Sequence, residues 1–325
     1  MTLSEDQLRS LTRLEVNSLQ AEQKMKYLKA LQVKHHKLEA VGKSLRGLLS
    51  QYNETSILAV IGATGVGKTT FSKRLIKVLI EKMQLTDKAT SIPVIYIPTP
   101  ANGDKSFSWS AFYEKILSQA YEILPDKKLA NIIEDGKFTV QPRRYKGLAA
   151  LRDALESMLK HRRVRVLVID EAYHLLRFGN YSAVMDTLKS LADQTGVKLI
   201  LLGSYDLFDL VSDYGQVARR AEILHFERYD KSIKKDADEF KMIVRKIQDR
   251  WPCADIPQFD MIYMELMEAS LGCVGLLKAI MLGALELQVN SRGEIWDPRF
   301  MAVKQRATLS RLVVETASNS FHLGM

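Results

Sequence analysis

Residues 62–71 read Gly62-Ala63-Thr64-Gly65-Val66-Gly67-Lys68-Thr69-Thr70-Phe71, GATGVGKTTF, and directly follow the apolar run Ile57-Leu58-Ala59-Val60-Ile61. The spacing Gly62-x-x-x-x-Gly67-Lys68-Thr69 puts small residues where backbone N–H groups must wrap a polyphosphate at the start of a helix. The flanks supply the required setting. A β-branched stretch from Ser56 to Ile61 enters the loop, and Phe71, Leu75, Val78 and Leu79 leave it at helical intervals. A chance glycine-rich turn has no such context.

On this reading Gly62, Ala63, Thr64, Gly65, Val66, Gly67, Lys68, Thr69 and Thr70 are the nucleotide-binding residues. Lys68 is expected to reach the β- and γ-phosphates of ATP, and Thr69 to hold Mg²⁺.

Outward from the loop, β-branched runs alternate with helical stretches, the pattern of a parallel sheet covered by helices. Five strands are expected, at 56–61, 93–98, 164–169, 198–203 and 223–226. After Phe226 the pattern turns helical, at about 231–250, 257–270 and 274–289, followed by a tail containing Trp296 and Pro298. Before the first strand, residues 1–50 read as helix. Ser4 with Gln7 forms a capping box, leucines recur from Leu8 to Leu48, and the first glycine is Gly42. The division expected is therefore a helical arm at 1–50, an α/β core at 51–228, a helical lid at 229–290 and a tail at 291–325.

A second motif completes the first. The stretch RVLVIDEAYHL, residues 165–175, is an apolar strand ending in Asp170 and Glu171. Parallel sheets gather ligands at the carboxyl ends of their strands, so this pair is delivered to the edge that carries the glycine loop. Asp170 is expected to hold Mg²⁺ through water, and Glu171 to orient or deprotonate the attacking water. A second carboxylate that prepares water points to a hydrolase rather than a kinase. The next strand, KLILLGSYDL (198–207), places Ser204 at its end, where a short hydroxyl can sense the γ-phosphate. In YGQVARRAEILHF (214–226), Arg219 and Arg220 precede the last strand. One of them is a candidate finger into a neighbouring subunit's site; a solvated basic helix end is the alternative.

Composition bounds the partners. The 325 residues carry 47 Lys and Arg against 38 Asp and Glu, a net charge of +9 that favours a polyanion. Cys253 and Cys273 lack the Cys-x-x-Cys spacing of a metal clasp, and no Ser-His-Asp set or zinc-ligand spacing is present. The paired His35 and His36 lie on the helical lead-in, where a surface position and a border to the adenine pocket are both open. The start MTLSEDQLRS is not a signal sequence, and no apolar run reaches about eighteen residues, so a soluble, cytoplasmic protein is expected.

These features, in this order, resemble the AAA+ superfamily of ATPases: Walker A at 62–69, Walker B at 164–171, a sensor serine at 204, an arginine pair before the fifth strand, then a lid. The lid stretch GCVGLLKAI (272–280) stands where the second sensor helix belongs and carries Lys278 in place of the usual arginine. Within the superfamily the chain is most similar to the TniB/TnsC family of transposition regulators, over residues 34–290. The likeness rests on the lead-in HHKLEAVGKSLRGLL, the GATGVGKTT loop, IDEAYHLL and LLGSYDL.

That resemblance implies a protein that assembles with ATP on duplex DNA as a ring or filament, marks a target and passes it to a transposase with a target-selector adaptor. Hydrolysis would take the assembly apart. It also implies DNA-gripping loops: ANGDKSFSW, with Lys105 and Ser106, and GKFTVQPRRYKG, with Lys137, Thr139, Arg143, Arg144 and Lys146. Contacts from such residues reach phosphates, so binding should be nearly independent of sequence and sensitive to salt. Two other readings stay open at this point, a protein-remodelling or loader ATPase and a nucleotide-switched defence or signalling protein.

Overall fold

The apolar run before the glycine loop is a strand, β1 (Ile57–Ile61), whose five residues are all buried, as the middle of a parallel sheet covered on both faces requires. The structure is a computed structural model that describes residues 5–49, 55–82, 91–99, 107–122, 133–134, 137–138, 147–175, 181–208 and 221–299. Among them, β1 joins β2 (Val94–Pro98), β5 (Val166–Asp170), β6 (Lys198–Gly203) and β7 (Ala221–His225) in an all-parallel sheet of order β2-β5-β6-β1-β7. A short antiparallel hairpin of β3 (Ile133–Glu134) and β4 (Lys137–Phe138) stands apart from it.

The five expected strands are all present, within about two residues. The third begins at Val166 rather than 164, because Arg163 takes a left-handed φ of 53° and Val164 N–H still bonds back to the Leu159 carbonyl at 2.9 Å. Pairing with β2 can start only after that turn. The register then sets Ile61 opposite Gly203, Ile169 opposite Leu201 and Pro98 opposite Asp170, so the carboxyl ends of β1, β2, β5 and β6 share one edge.

Contacts divide the chain into two units. The first contains residues 41–62 and 68–225. In it, α5 (Lys68–Lys82), α6 (Trp109–Glu122), α7 (Gly147–His161) and α8 (Tyr181–Thr195) accompany the sheet. Their apolar residues recur at helical spacing: Leu151, Leu155 and Leu159 on α7, and Val184, Met185, Leu188, Leu191 and Ala192 on α8, meet Ile95, Leu167 and Leu199 in one core.

The second unit contains residues 1–40, 63–67 and 226–325. Its lid helices are α9 (Lys234–Gln248), α10 (Tyr263–Ala269) and α11 (Val274–Val289). The expected helix at 257–270 is instead a 3₁₀ turn, Phe259–Ile262, running into α10. Gln288 is a buried node here: its Oε1 accepts from Trp251 Nε1 at 2.7 Å, and its Nε2 donates to the carbonyls of Asp255 and Glu294. The start of the expected tail belongs to this node, since Trp296 stacks edge-on against both Trp251 and Phe259.

The helical arm expected over 1–50 consists, among the described residues, of α1 (Glu5–Ser10), α2 (Arg13–Asn17), α3 (Ala21–Ala30) and α4 (His36–Leu48). The breaks have local causes. Thr12 and Glu15 form a reciprocal capping box that starts α2, and Leu31 is extended after α3. The box expected at Ser4 lies outside the described residues. Leu28 of α3 is fully buried with Phe240, Trp251, Phe259 and Leu285, so α3 is built into the lid's own core.

Candidate nucleotide site

In the sheet-bearing unit, β1 runs directly into Gly62, whose N–H bonds the Gly203 carbonyl at 3.2 Å and so lengthens the β1–β6 ladder by one step. The loop ends where Lys68 begins α5, and Lys68 Nζ donates back to the Gly62 carbonyl at 2.6 Å. The ammonium is thereby tied back to the residue that follows β1. Thr69 and Thr70 are exposed on the first helical turn, and the Thr69 carbonyl accepts from Ser72 Oγ at 2.9 Å.

The loop's interior, residues 63–67, turns through left-handed backbone at Gly65 (φ 78°) and Gly67 (φ 113°), conformations that only glycine adopts without strain. Gly65 has a second constraint. Its carbonyl accepts from the N–H of Gly275, at the start of α11, at 2.8 Å, while a Cβ on Gly65 would lie 2.5 Å from Leu276 Cγ. A Cβ on Gly275 would in turn stand 2.4 Å from the Gly65 oxygen. Both positions must be glycine for the backbones to approach this closely.

Asp170 ends β5 and is only 5% exposed. Its Oδ2 accepts from the Tyr96 hydroxyl at 2.7 Å and its Oδ1 from the N–H of Glu171 at 2.9 Å. Thr99 fixes the same residue from the main-chain side, with its N–H and Oγ1 both donating to the Asp170 carbonyl. Burial first, and then the bond to Asp170 and its negative charge, hold the Tyr96 phenol well above its ordinary pKa, so Tyr96 keeps its proton and donates it in a hydrogen bond throughout the working range.

Glu171 differs from its neighbour in every respect. Its side chain is 60% exposed and its φ is 53°, a strained backbone for a residue with a Cβ. The 3₁₀ turn that follows, Ala172–Leu175, brings buried His174 to it, with Nε2 of the imidazole 4.0 Å from Glu171 Oε2 and the His174 N–H on the Glu171 carbonyl. One acid is held and buried, the other exposed to solvent. That contrast suits a metal-facing carboxylate beside one that handles water.

Ser204 follows β6 immediately, and its Oγ donates to Asp206 Oδ2 at 2.7 Å, which orients the hydroxyl at the strand end. Lys278, the residue of the expected second sensor, is held within its own unit. Its Nζ donates to the carbonyls of Lys29 and Leu31 at 2.7 and 2.6 Å, so the ammonium caps the end of α3. His35 is buried between Phe226 and Tyr229, with Nδ1 3.1 Å from the Tyr229 hydroxyl, whereas the His36 side chain is 62% exposed. Lys137 lies in β4. Lys105, Ser106, Thr139, Arg143, Arg144, Lys146, Arg219 and Arg220 lie outside the described residues.

Sequence reading missed Tyr96, Ser72, Thr99, His174 and Gly275. Only His174 left a local signal, standing three residues after Glu171 where a tight turn brings i and i+3 together. The others depend on tertiary pairing.

Comparison with known proteins agrees with this geometry. Residues 51–211 match a protein family described as AAA domain. No curated protein matches the sequence. Among solved structures, the ORC1 protein of Aeropyrum pernix in complex with DNA superposes with a TM-score of 0.59 at 16% identity, over 88% of this chain and 68% of its own. The Walker-type ATPase of Pyrococcus abyssi gives 0.57 at 16% identity, over 91% and 77%. The ADP form of the Aeropyrum pernix ORC2 protein gives 0.55 at 15% identity, over 83% and 67%. At such identities the likeness is one of fold. The AAA domain matched at residues 51–211 and the five-stranded parallel sheet give this chain the AAA+ P-loop NTPase fold and support ATP hydrolysis.

Proposed function

We propose that the protein is an ATP-controlled, DNA-binding regulator of transposition, which assembles on duplex DNA with ATP, marks a target for a transposase and adaptor, and disassembles on hydrolysis. The observation that carries the nucleotide half is the contrast between buried Asp170 and exposed, strained Glu171 at the strand edge that continues into the glycine loop. Thr69 and Asp170 would hold Mg²⁺, a fitting donor set for an ion that takes one or two protein oxygens beside substrate phosphates and keeps several waters. When bound, the ion would neutralise charge building on the phosphates. Glu171 would take the proton of the attacking water, Lys68 would hold the terminal phosphates, and Ser204 would report on the γ-phosphate.

The DNA half is supported by the net charge of +9, by the basic loops with Lys105, Ser106, Lys137, Thr139, Arg143, Arg144 and Lys146, and by the DNA seen with the ORC1 structure of the same fold. An arginine of the Arg219–Arg220 pair would complete the site of the next subunit. In that arrangement ATP holds the subunit interface, and hydrolysis removes the difference in affinity that keeps the polymer together. The test is negative-stain imaging of the protein with duplex DNA, with and without a slowly hydrolysed ATP analogue. Rings or filaments that require both ligands are expected. Discrete particles indifferent to DNA would overturn the reading.

A further inference from the structure

Asp170 receives two neutral donors, one on each carboxylate oxygen, and they come from different parts of the fold. The Glu171 N–H belongs to the chain's own turn, but the Tyr96 hydroxyl comes from β2, the adjacent strand, where Tyr96 pairs with Val168. A carboxylate held at one oxygen alone can still rotate about its last torsion, which is broad and soft. Held at both, it presents its remaining lone pairs in one direction. Behind the phenol is Ser72 of α5, fully buried, whose hydroxyl neighbours that of Tyr96 and bonds the carbonyl of Thr69. The residue that orients Asp170 therefore packs against the helical turn that carries Thr69.

We propose that Tyr96 is the positioning residue of the metal site: its hydroxyl fixes the Asp170 carboxylate, and its contact with Ser72 keeps that carboxylate in register with the Thr69 turn. This rests on the reading that Thr69 and Asp170 hold the divalent ion. The ring alone does not suffice, because a phenylalanine fills the same space between β2 and α5 yet donates nothing. Removing the donor leaves Asp170 Oδ2 without its partner in a site that is 5% exposed, and the carboxylate reorients toward whatever water or main-chain donor it can reach.

The experiment is a Mn²⁺ titration of the full-length protein with saturating ADP, following free Mn²⁺ by electron paramagnetic resonance. Metal-free ADP affinity and the thermal midpoint are measured alongside it. Tyr96→Phe is expected to weaken Mn²⁺ binding by about tenfold, the scale of an orienting partner behind a metal ligand, with metal-free ADP affinity unchanged and the midpoint only modestly lowered by the lost hydrogen bond. Ser72→Ala should act in the same direction by less, and the double variant should be no worse than Tyr96→Phe alone. Wild-type Mn²⁺ affinity in Tyr96→Phe, alongside weakened binding in Asp170→Asn, would overturn the role of Tyr96 and leave the metal assignment standing. Unaltered binding in Asp170→Asn would overturn the assignment itself. Should Tyr96→Phe fail to fold, Ser72→Ala decides: unchanged Mn²⁺ affinity there refutes the coupling.

Discussion

At the scale of single residues, two adjacent acids are driven to opposite environments by a single backbone feature. The left-handed φ of Glu171 turns the chain sharply at the end of β5, leaving Asp170 under the bonds of Tyr96 and Thr99 while Glu171 swings into solvent. The turn carries a cost of about 1–3 kcal/mol, so replacing Glu171 with glycine should raise stability in chemical denaturation by about 1 kcal/mol while abolishing turnover. A destabilised Glu171→Gly protein would mean that the strain is not there. Glu171→Gln separates the chemistry from the backbone: it keeps the strain and the size but cannot take a proton. Phosphate release should fall by about a hundredfold or more with ATP binding retained. A proportional loss of ATP affinity would assign Glu171 to binding instead. The loop and both acids were legible in sequence because each motif is contiguous. Tyr96 was not, standing 74 residues before the carboxylate it serves, inside a run, VIYI, that reads as an ordinary buried strand.

At the scale of elements, two contacts tie α11 to other segments of its unit. The first is the approach of its leading turn to the glycine loop, where the Gly275 N–H meets the Gly65 carbonyl at 2.8 Å. Gly275→Ala puts a methyl 2.4 Å from that oxygen, and backbone cannot yield as a side-chain end can. A loss of about 2 kcal/mol in unfolding free energy is expected, with weaker ATP binding because the loop itself must shift. Unchanged stability would show that α11 can slide. The second contact is Lys278 on the end of α3. Lys278→Met keeps the stem and removes the ammonium, which should lower stability by about 1 kcal/mol. ATP affinity is the discriminating readout, since a sensor role for Lys278 requires it to fall as well. Strand positions were readable because parallel strands buried on both faces are continuous apolar runs. The boundaries between the amino-terminal helices were not legible, because leucine periodicity survives across short breaks. What ends each helix is a cap such as Thr12 with Glu15, a signal that the periodic pattern overrode.

At the scale of the whole molecule, the net charge of +9 favours a polyanionic partner, and the proposed function makes that partner the phosphate backbone of DNA. Such binding has a thermodynamic signature that fold similarity cannot supply. Each phosphate neutralised by a lysine or arginine releases condensed counterions, so the logarithm of the binding constant falls linearly with the logarithm of salt concentration, by about 0.9 per contact on duplex DNA. Arg143 and Arg144 lie side by side in GKFTVQPRRYKG, the loop for which the family resemblance implies DNA contact. Changing both to alanine should flatten the salt slope by roughly 2 and weaken binding about equally on unrelated sequences, since phosphate contacts carry no base information. Fluorescence anisotropy with two duplexes of different sequence, titrated at several salt concentrations in the presence of a slowly hydrolysed ATP analogue, measures both quantities together. A slope that stays at its wild-type value would remove the pair from the DNA surface. A loss confined to one duplex would make them readers of sequence, contrary to the sequence-independent grip proposed here.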